Sequence, residues 1–494
     1  MKAKPTSYHV LRYRILLLSL FLLAFFLYTF PLSLVQYWDA CVYLQNAEVI
    51  MGNEEGWNEL SFRPPLISLY IAFLNLFWHS PYMAQLGVGF ISLLGSIPLY
   101  LLLKQHFNKT IAFLGFIMFS FSPTLLLSAR GILTDNMALS LFLFHVFFID
   151  SALSSHGKKK HILNMLSALF LVLSVLTKFT YAFGAFFLLI FLIFKKEKPS
   201  TYLELIFFSL LFISPYLFWN LAEFGNPVYT FLAGNYVVGQ SPGSPFSFYF
   251  YNFNYLAELP ILIGIILFFI YLSNKESRSY LGSSKQIFYS TLIWSILLFL
   301  VLSFMSHKEI RYLFPVFSGA IITSCAGYFM LLKSLKNNTR AKKNRLILNS
   351  FFVFFLLFYA VSTLIIINTN HYSIINNYPV DFIEIAEWLS AREDDYPIYA
   401  MTHYPMLNFY SNKTIFPAVP QRIDSVLNCS SSSFELFNIN STYGYFVSFP
   451  RGYDEYKRVE SALFETCNIF KEVYRAGEGD VYGIVYFFNL SDSS

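Results

Sequence analysis

Two aspartates stand where long apolar stretches of the chain meet polar ones. Asp39 lies in the segment Tyr37–Tyr43, just after the first apolar run, and Asp135 lies in Leu133–Asn136, at the start of another. Because Trp and Tyr favour the membrane interface, a carboxylate beside them is expected at a membrane surface. Such a carboxylate could act as a general base that takes a proton from an acceptor hydroxyl.

Each aspartate also has a plain structural interpretation. Asp39 could be an ordinary exposed charge of a polar loop, and Asp135 could cap a helix N-terminus, where a carboxylate is favoured by the dipole. A cap and a catalytic role are compatible. Four glutamates share the first polar loop and are interpreted as solvated charge: Glu48, Glu54, Glu55 and Glu59.

A small set of cations could complement these acids. Arg63 lies in the first polar loop, Lys178 separates two short apolar runs, and Lys308 and Arg311 lie between two later ones. An arginine offers a planar fork of donors that matches a phosphate group, and a lysine offers a point charge. The alternative is that Lys178 and Arg311 only extend toward the interface to reach water.

The composition predicts an integral membrane protein. Hydrophobic residues make up 56% and charged residues 13%, with a mean hydropathy of +0.52, whereas soluble domains carry roughly 25% charged residues. No basic strip interleaved with polar aromatics is present, so a nucleic-acid partner is not expected. Eleven spans are predicted: 15–35, 82–103, 110–128, 136–153, 162–177, 179–194, 201–221, 256–273, 286–305, 312–332 and 346–367.

The distribution of basic residues predicts which side each loop occupies. With the N-terminus inside, the inner segments carry 21 lysines and arginines and the outer loops carry five, as the positive-inside rule requires. The short run 66–78 is therefore left outside as a juxtamembrane helix. The stretch 162–194 is assigned two short spans, with one long helix as the alternative.

The composition changes after about residue 370, and residues 371–494 are expected to form a small α/β domain outside the membrane. Predicted helices cover 381–392 and 453–466, and predicted strands cover 398–402, 443–449 and 481–488. Cys429 and Cys467 both fall in this exported domain, so they could pair in an oxidising compartment.

Several motifs in order along the chain resemble those of the GT-C membrane glycosyltransferases. The resemblance is to the branch of the dolichyl-phosphate-mannose protein mannosyltransferases and the lipid A aminoarabinose transferases. The motifs that carry it are Trp38-Asp39-x3-Tyr43-x3-Ala47, Phe62-Arg63-Pro64-Pro65-Leu66, Leu133-Thr134-Asp135, Leu176-Thr177-Lys178, Pro215-x3-Trp219-Asn220 with Gly225-Asn226-Pro227, and Lys308-Glu309-x-Arg311-Tyr312-Leu313-x-Pro315.

This resemblance implies an all-α polytopic domain of GT-C type over residues 1–370, with an outer catalytic loop at 37–80. It implies inverting transfer of a sugar from a polyprenyl (dolichyl or undecaprenyl) phosphate. Asp39 would be the general base and Asp135 a second acidic residue. The substrate-binding residues would be Arg63, Lys178, Lys308, Arg311, Tyr43 and Asn136.

The first motif departs from the family pattern, because Ala40 follows Asp39 where the family often has Asp-Glu. That puts a protein acceptor of the mannosyltransferase kind in doubt, but not the class. The Trp-Trp-Asp-Tyr-Gly signature of oligosaccharyltransferases is absent, so transfer of a whole glycan to asparagine is not expected. No spacing predicts a structural metal site, although paired acids could hold Mg²⁺ or Mn²⁺.

The prediction is thus a multi-pass membrane hexosyltransferase of the cell envelope. Its partners would be a lipid-linked sugar donor, membrane lipids, and a hydroxyl acceptor on a glycan, lipid or protein. Two alternatives are a transporter or flippase of lipid-linked sugars, and an inactive subunit of a glycan-assembly complex. A transporter would be expected to carry charges inside its spans, and few fall there, such as Glu204 and Asp150, each near an end.

Overall fold

The structure is a computed structural model of the chain, and it describes the greater part of the sequence. The described residues are 7–29, 38–53, 58–129, 131–239, 244–252, 258–274, 278–305, 307–337, 353–355, 357–365, 380–418, 439–449, 469–478 and 481–489. By contacts the chain divides into two compact units. The larger is drawn from Met1–Leu32, Leu60–Ile67 and Leu74–Asn370, and the smaller from Ser33–Glu59, Ser68–Phe73 and His371–Ser494.

The larger unit is helical. Its helices are α1 (Ser7–Thr29), α4 (Pro81–Leu94), α5 (Ser96–His106), α6 (Lys109–Ser120), α7 (Pro123–Ala129), α8 (Thr134–Leu153), α9 (Lys158–Thr177), α10 (Gly184–Lys195), α11 (Pro199–Phe224), α12 (Tyr229–Gly239), α13 (Phe248–Tyr251), α14 (Leu259–Ser273), α15 (Lys285–Phe304) and α16 (Phe314–Asn337). Short 3₁₀ helices cover Phe179–Phe183, Gly282–Ser284 and Ile310–Leu313. Residues 353–355 and 357–365 are also helical.

The predicted spans fall on apolar helices. Within the described residues, seven helical stretches are long and apolar enough to cross a membrane, and shorter apolar helices lie in the other predicted spans. Helix α8 shows why the length fits: its 20 residues extend roughly 30 Å, which is the thickness of the hydrocarbon core. Helix α3 (Leu66–Asn75) has 10 residues, so it is too short to span.

The stretch 162–194 is a hairpin of two helices rather than one long helix. Lys178 interrupts it with an extended backbone, at φ −154° and ψ 115°. The Lys160 ammonium, at the start of α9, lies 3.0 Å from the Glu197 carboxylate, just beyond the end of α10. The two distant ends of the hairpin therefore meet, and Lys178 occupies the turn. The predicted division into two segments is confirmed.

Small residues allow the helices to approach closely. A Cβ built on Gly327 in α16 would lie 2.0 Å from the Gly264 carbonyl oxygen in α14, and one on Gly95, between α4 and α5, would lie 2.5 Å from the Ser140 hydroxyl. Any larger residue would push these helices apart. Contacts of this kind are typical of membrane helices, where packing replaces the hydrophobic driving force.

The smaller unit contains a five-stranded mixed sheet. Its strands are β1 (Ile398–Ala400), β2 (Ile415–Pro417), β3 (Tyr443–Ser448), β4 (Phe470–Glu478) and β5 (Val481–Asn489), in the order β2-β1-β3-β5-β4. Strand β1 pairs in parallel with β2 and β3, and β5 pairs antiparallel with β3 and β4. Helix α17 (Val380–Ser390) buries Ile385 and Leu389 in the same core as the sheet.

Three strands and one helix of this unit match the sequence predictions. Strands β2 and β4 and the helix α18 (Tyr404–Ser411) were not predicted. They are short, or lack a clean alternation of apolar and polar residues. The predicted helix 453–466, Cys429 and Cys467 lie outside the described residues.

Helix α2 (Trp38–Ile50), which carries the first acidic motif, packs within the smaller unit. The Gln45 side-chain amide donates to the Pro405 carbonyl at 2.7 Å, and the Trp38 and Tyr404 rings meet edge to face at 4.8 Å. Cys41 and Met406 are buried together. The first loop is therefore held by α18, a contact between residues some 360 positions apart.

Candidate functional site

The larger unit brings Asp135, Lys178 and Arg311 together. The Lys178 ammonium donates to Asp135 Oδ1, and Arg311 Nη1 lies 3.9 Å from Asp135 Oδ2. The side chain of Asp135 is 1% exposed, while those of Lys178 and Arg311 are 12% and 25% exposed. The carboxylate is thus covered by two cations, and the cations are what a ligand approaching this cluster would meet.

Glu309 completes the cluster and orients Arg311. Arg311 Nε donates to Glu309 Oε2, and His307 Nε2 lies 3.1 Å from Glu309 Oε1. Burial alone would raise the Glu309 pKa, but hydrogen bonds from His307 and Arg311 and the charge of Arg311 lower it well below its ordinary value. Glu309 is therefore anionic at neutral pH, and its pairing with Arg311 is lost only as the pH falls far into the acidic range.

Lys178 is held between a carboxylate and an aromatic ring. Its ammonium lies 4.4 Å from the centre of the Tyr312 ring, a cation–π geometry. Burial lowers the Lys178 pKa by removing water from the ammonium, and the Asp135 carboxylate opposes that shift. Breaking a buried pair by removing one partner is strongly destabilising, so Asp135 and Lys178 stabilise each other.

Asp135 does not cap helix α8. The N-cap is Leu133, and Asp135 is in the first turn with its carboxylate directed at Lys178. The interpretation of Asp135 as the helix N-cap is therefore wrong. The helix dipole still favours a carboxylate in this first turn.

The segment before Asp135 is anchored by buried polar contacts. Asn136 Nδ2 donates to the Leu125 carbonyl of α7 at 2.5 Å. At the start of α7, the Ser122 hydroxyl donates to Glu258 Oε1 at 2.5 Å, and Glu258 is 8% exposed. Glu258 and Asn136 thus fix the two ends of the path from Ser122 to Asp135.

The backbone between these anchors is strained. Ile132 adopts a positive φ of 47°, which is unfavourable for a β-branched residue. Such strain persists only where the surroundings enforce it, and it is common at functional sites. Here the anchored α7 and α8 enforce a tight turn immediately before Asp135.

Two other predicted binding residues, Lys308 and Asn136, are held by contacts outside the cluster of Asp135, Lys178 and Arg311. Lys308 is buried, and its ammonium donates to the Ser244 carbonyl at 2.6 Å and the Met305 carbonyl at 2.5 Å. This arrangement fixes the loop before Arg311. Asn136 is buried and turned onto α7, as described above. Neither side chain joins the ion-paired cluster in the described contacts.

Arg63 lies on a segment that approaches the turn after Lys178. A Cβ built on Gly234 of α12 would lie 2.8 Å from the Phe62 carbonyl oxygen and 3.7 Å from the Phe179 ring. Only a residue without a Cβ permits this approach. The Phe62-Arg63 backbone and the 3₁₀ helix that begins at Phe179 therefore meet at α12, so the sequence motifs around Arg63 and Lys178 adjoin.

Asp39 and Tyr43 both belong to α2 in the smaller unit. Asp39 lies in the first turn and is half-buried, whereas Tyr43 is 3% exposed. Asp39 and Asp135 each lie in the first turn of a helix, so this position does not distinguish the two aspartates. Their surroundings do: Asp135 is covered by two cations, and Asp39 is the more accessible carboxylate.

The sequence did not single out Glu309, Tyr312 or Glu258 as site residues. Glu309 and Tyr312 belong to a sequence motif in which only the cations, Lys308 and Arg311, were predicted to bind substrate. Glu258 stood alone at the head of an apolar run, where an intramembrane carboxylate is itself a signal. Among the described residues, no group of three or more His, Cys, Asp or Glu is arranged to hold a metal ion.

Comparison with family models finds one match, over part of the chain. A family model described as dolichyl-phosphate-mannose-protein mannosyltransferase matches residues 63–219, which include Arg63, Asp135 and Lys178. A search of curated protein sequences finds no significant match.

Solved structures match the fold of nearly the whole chain. ArnT from Cupriavidus metallidurans in the apo state has a TM-score of 0.66 at 13% identity, covering 98% of this chain and 99% of its own. The same protein bound to undecaprenyl phosphate gives 0.66 at 14% identity, over 96% and 98%. The Archaeoglobus fulgidus oligosaccharyltransferase AglB, in complex with an inhibitory peptide and a dolichol-phosphate, gives 0.56 at 12% identity, over 96% and 74%.

At these identities the structural matches establish a shared fold. Together with the family-model match and the ordered motifs, they show that this chain has the fold of the GT-C membrane glycosyltransferases and resembles the branch of the protein mannosyltransferases and ArnT.

Proposed function

We propose that the chain is a membrane glycosyltransferase that uses a polyprenyl-phosphate sugar as its donor. The observation that carries the proposal is the cluster of Lys178 and Arg311 over Asp135 and Glu309, in a chain that matches ArnT over nearly its full length. Two solved relatives support the donor class, because one is bound to undecaprenyl phosphate and another to a dolichol-phosphate.

The proposed step is a single displacement with inversion. An acceptor hydroxyl attacks the anomeric carbon of the sugar while the bond from that carbon to the phosphate oxygen breaks. The hydroxyl proton passes to Asp39, and the bonding electrons leave with the lipid phosphate. An anionic leaving group needs cations more than a proton, and Lys178, Arg311 and Arg63 are the proposed partners.

The arrangement of the cluster suits reversible binding of an anion. A single Asp135 oxygen takes one of the three Lys178 donors, and Glu309 holds the Arg311 guanidinium by Nε. The cations are therefore held in position before the donor binds, which lowers the ordering cost of recognition. Asp135 and Glu309 also balance their charge when no phosphate is present.

The sugar is proposed to be a hexose and the acceptor a hydroxyl of a glycan, lipid or protein. A transport function is less well supported by the described charges. Asp150, near the end of α8, pairs with His106 at 2.7 Å and Lys195 at 3.7 Å, and Glu204 pairs with His161 at 2.7 Å. These contacts join neighbouring helix ends instead of forming a path of charges through the bundle.

A donor panel tests the proposal directly. Purified full-length protein is incubated with dolichyl- and undecaprenyl-phosphate sugars, and release of the free polyprenyl phosphate is measured with an extract of candidate acceptors. At least one donor should be consumed with transfer of its sugar to an acceptor. Translocation of an intact donor across vesicle membranes, without any sugar transfer, would instead favour the transporter.

The C-terminal unit is proposed to lie on the outer side of the membrane, opposite Lys158–Lys160. In a variant without the four native cysteines, Glu472→Cys should react with a membrane-impermeant maleimide in intact cells, because this side chain is 43% exposed. Lys159→Cys, also exposed, should react only after permeabilisation. The reverse labelling pattern would overturn the predicted topology.

A further inference from the structure

A cavity with both polar and apolar walls lies in the smaller unit, beside the edge of its sheet. It has a volume of about 260 Å³ and is lined by the end of α17, the loop that leads to β1, and the start of β2. Drug-sized ligands occupy pockets of roughly 300–1,000 Å³. This cavity is smaller, so it has room for a single small ring.

One side chain that lines the cavity carries an unsatisfied donor. The Arg392 guanidinium packs 4.0 Å from the centre of the Trp388 ring, and its buried Nε has no hydrogen-bond partner among the described residues. An orphaned buried donor is unfavourable. Because Arg392 lines the cavity, its guanidinium is the donor group that a ligand oxygen there would meet.

Asp394 supplies hydrogen-bond acceptors to the same cavity, which Tyr445 also lines. The Tyr445 hydroxyl donates to Asp394 Oδ2 at 3.0 Å. Burial and this carboxylate together raise the Tyr445 pKa to about 12, so the hydroxyl stays protonated. The carboxylate retains further acceptor positions for hydroxyl donors of a ligand.

The charges lining the cavity balance. Arg392 and Lys413 are opposed by Asp394 and Asp395, and the Lys413 ammonium already donates to the Arg392 carbonyl at 2.9 Å. A phosphate or other charged ligand would meet a like charge as readily as an opposite one. The cavity therefore suits a neutral ligand with several hydroxyl groups.

The rim adds two aromatic faces. Tyr396 and Phe416 both line the cavity and are 41% and 44% exposed. Aromatic rings pack against the apolar C–H face of a pyranose, while its hydroxyls reach carboxylate and guanidinium groups. We propose that this cavity binds one neutral sugar residue. The inference goes beyond the proposed transfer reaction and stands without it, because binding requires no donor.

Binding can be measured on the full-length protein with simple sugars. The protein is prepared in a detergent without a sugar headgroup, since a maltoside would compete. Saturation-transfer NMR titrations then compare the methyl glycosides of glucose, mannose, galactose and N-acetylglucosamine with glucuronate and inorganic phosphate. At least one neutral glycoside should bind saturably, and more tightly than glucuronate or phosphate.

Variants locate the binding. Asp394→Asn and Phe416→Ala should each weaken the sugar about tenfold or more, the expected loss of one charge-assisted hydrogen bond or one packing face. Glu393→Gln and Val473→Ala alter exposed residues outside the cavity and should leave it unchanged. Lack of saturable binding to the natural sequence, or equal binding by all four variants, would overturn the inference.

Discussion

Asp39→Asn is expected to lower turnover by about 10²–10⁴, the usual contribution of a positioned general base. The substitution keeps the size of the side chain and removes its basicity. Donor binding should survive, because the proposed phosphate partners are other residues. Two quantities are measured with a donor that the panel shows to be consumed. They are the single-turnover rate and the dissociation constant of the donor from equilibrium binding.

A matched substitution on the same helix controls for damage to α2. Glu48→Gln removes a half-buried carboxylate from α2 and should change turnover less than about threefold. Both variants should have the melting temperature of the natural protein, since the contacts of Gln45 and Trp38 with α18 are retained. Near-normal turnover by a well-folded Asp39→Asn protein would remove Asp39 as the base.

Asp135→Asn should behave differently, although both aspartates begin helices. Its carboxylate is buried under Lys178 and Arg311, so the substitution leaves the Lys178 ammonium without its charged partner and should also lower stability. Asp135→Asn should therefore lower both the melting temperature and the activity, whereas Asp39→Asn should lower the activity alone.

Arg311→Ala should raise the donor dissociation constant about 10- to 100-fold. That range corresponds to the loss of one charge-assisted hydrogen bond, roughly 1.5–3 kcal/mol. Arg311→Lys should recover only part of the affinity, because a lysine cannot reproduce the planar fork held by Glu309. Binding is measured with the polyprenyl phosphate alone, so the result does not depend on the identity of the sugar.

A second arginine of the chain provides the control. Arg475 also pairs with a nearby glutamate, at 2.8 Å from Glu472, but it is 47% exposed on the strand β4. Arg475→Ala should leave donor affinity unchanged. Equal donor affinity in the natural protein and in Arg311→Ala would end the assignment of Arg311 to the phosphate.

The membrane architecture could be predicted from the sequence because it depends on local properties. Apolar runs of spanning length and the break at Lys178 each depend on neighbouring residues. The spacing of acids and cations around those runs also gave Asp135, Lys178 and Arg311, and the order of the motifs gave the fold family. Strand β4 was missed because an edge strand needs little apolar alternation.

The pairing of these residues was decided by the tertiary structure. Glu309 orients Arg311, Glu258 holds the start of α7, and α2 joins the C-terminal unit through Gln45. Each of these contacts joins a side chain to a group whose position depends on how whole helices pack. Sequence periodicity reports which face of a helix is apolar, but not which partner covers it. The sequence therefore determined which groups could do chemistry at a membrane surface, and the packing determined which of them meet.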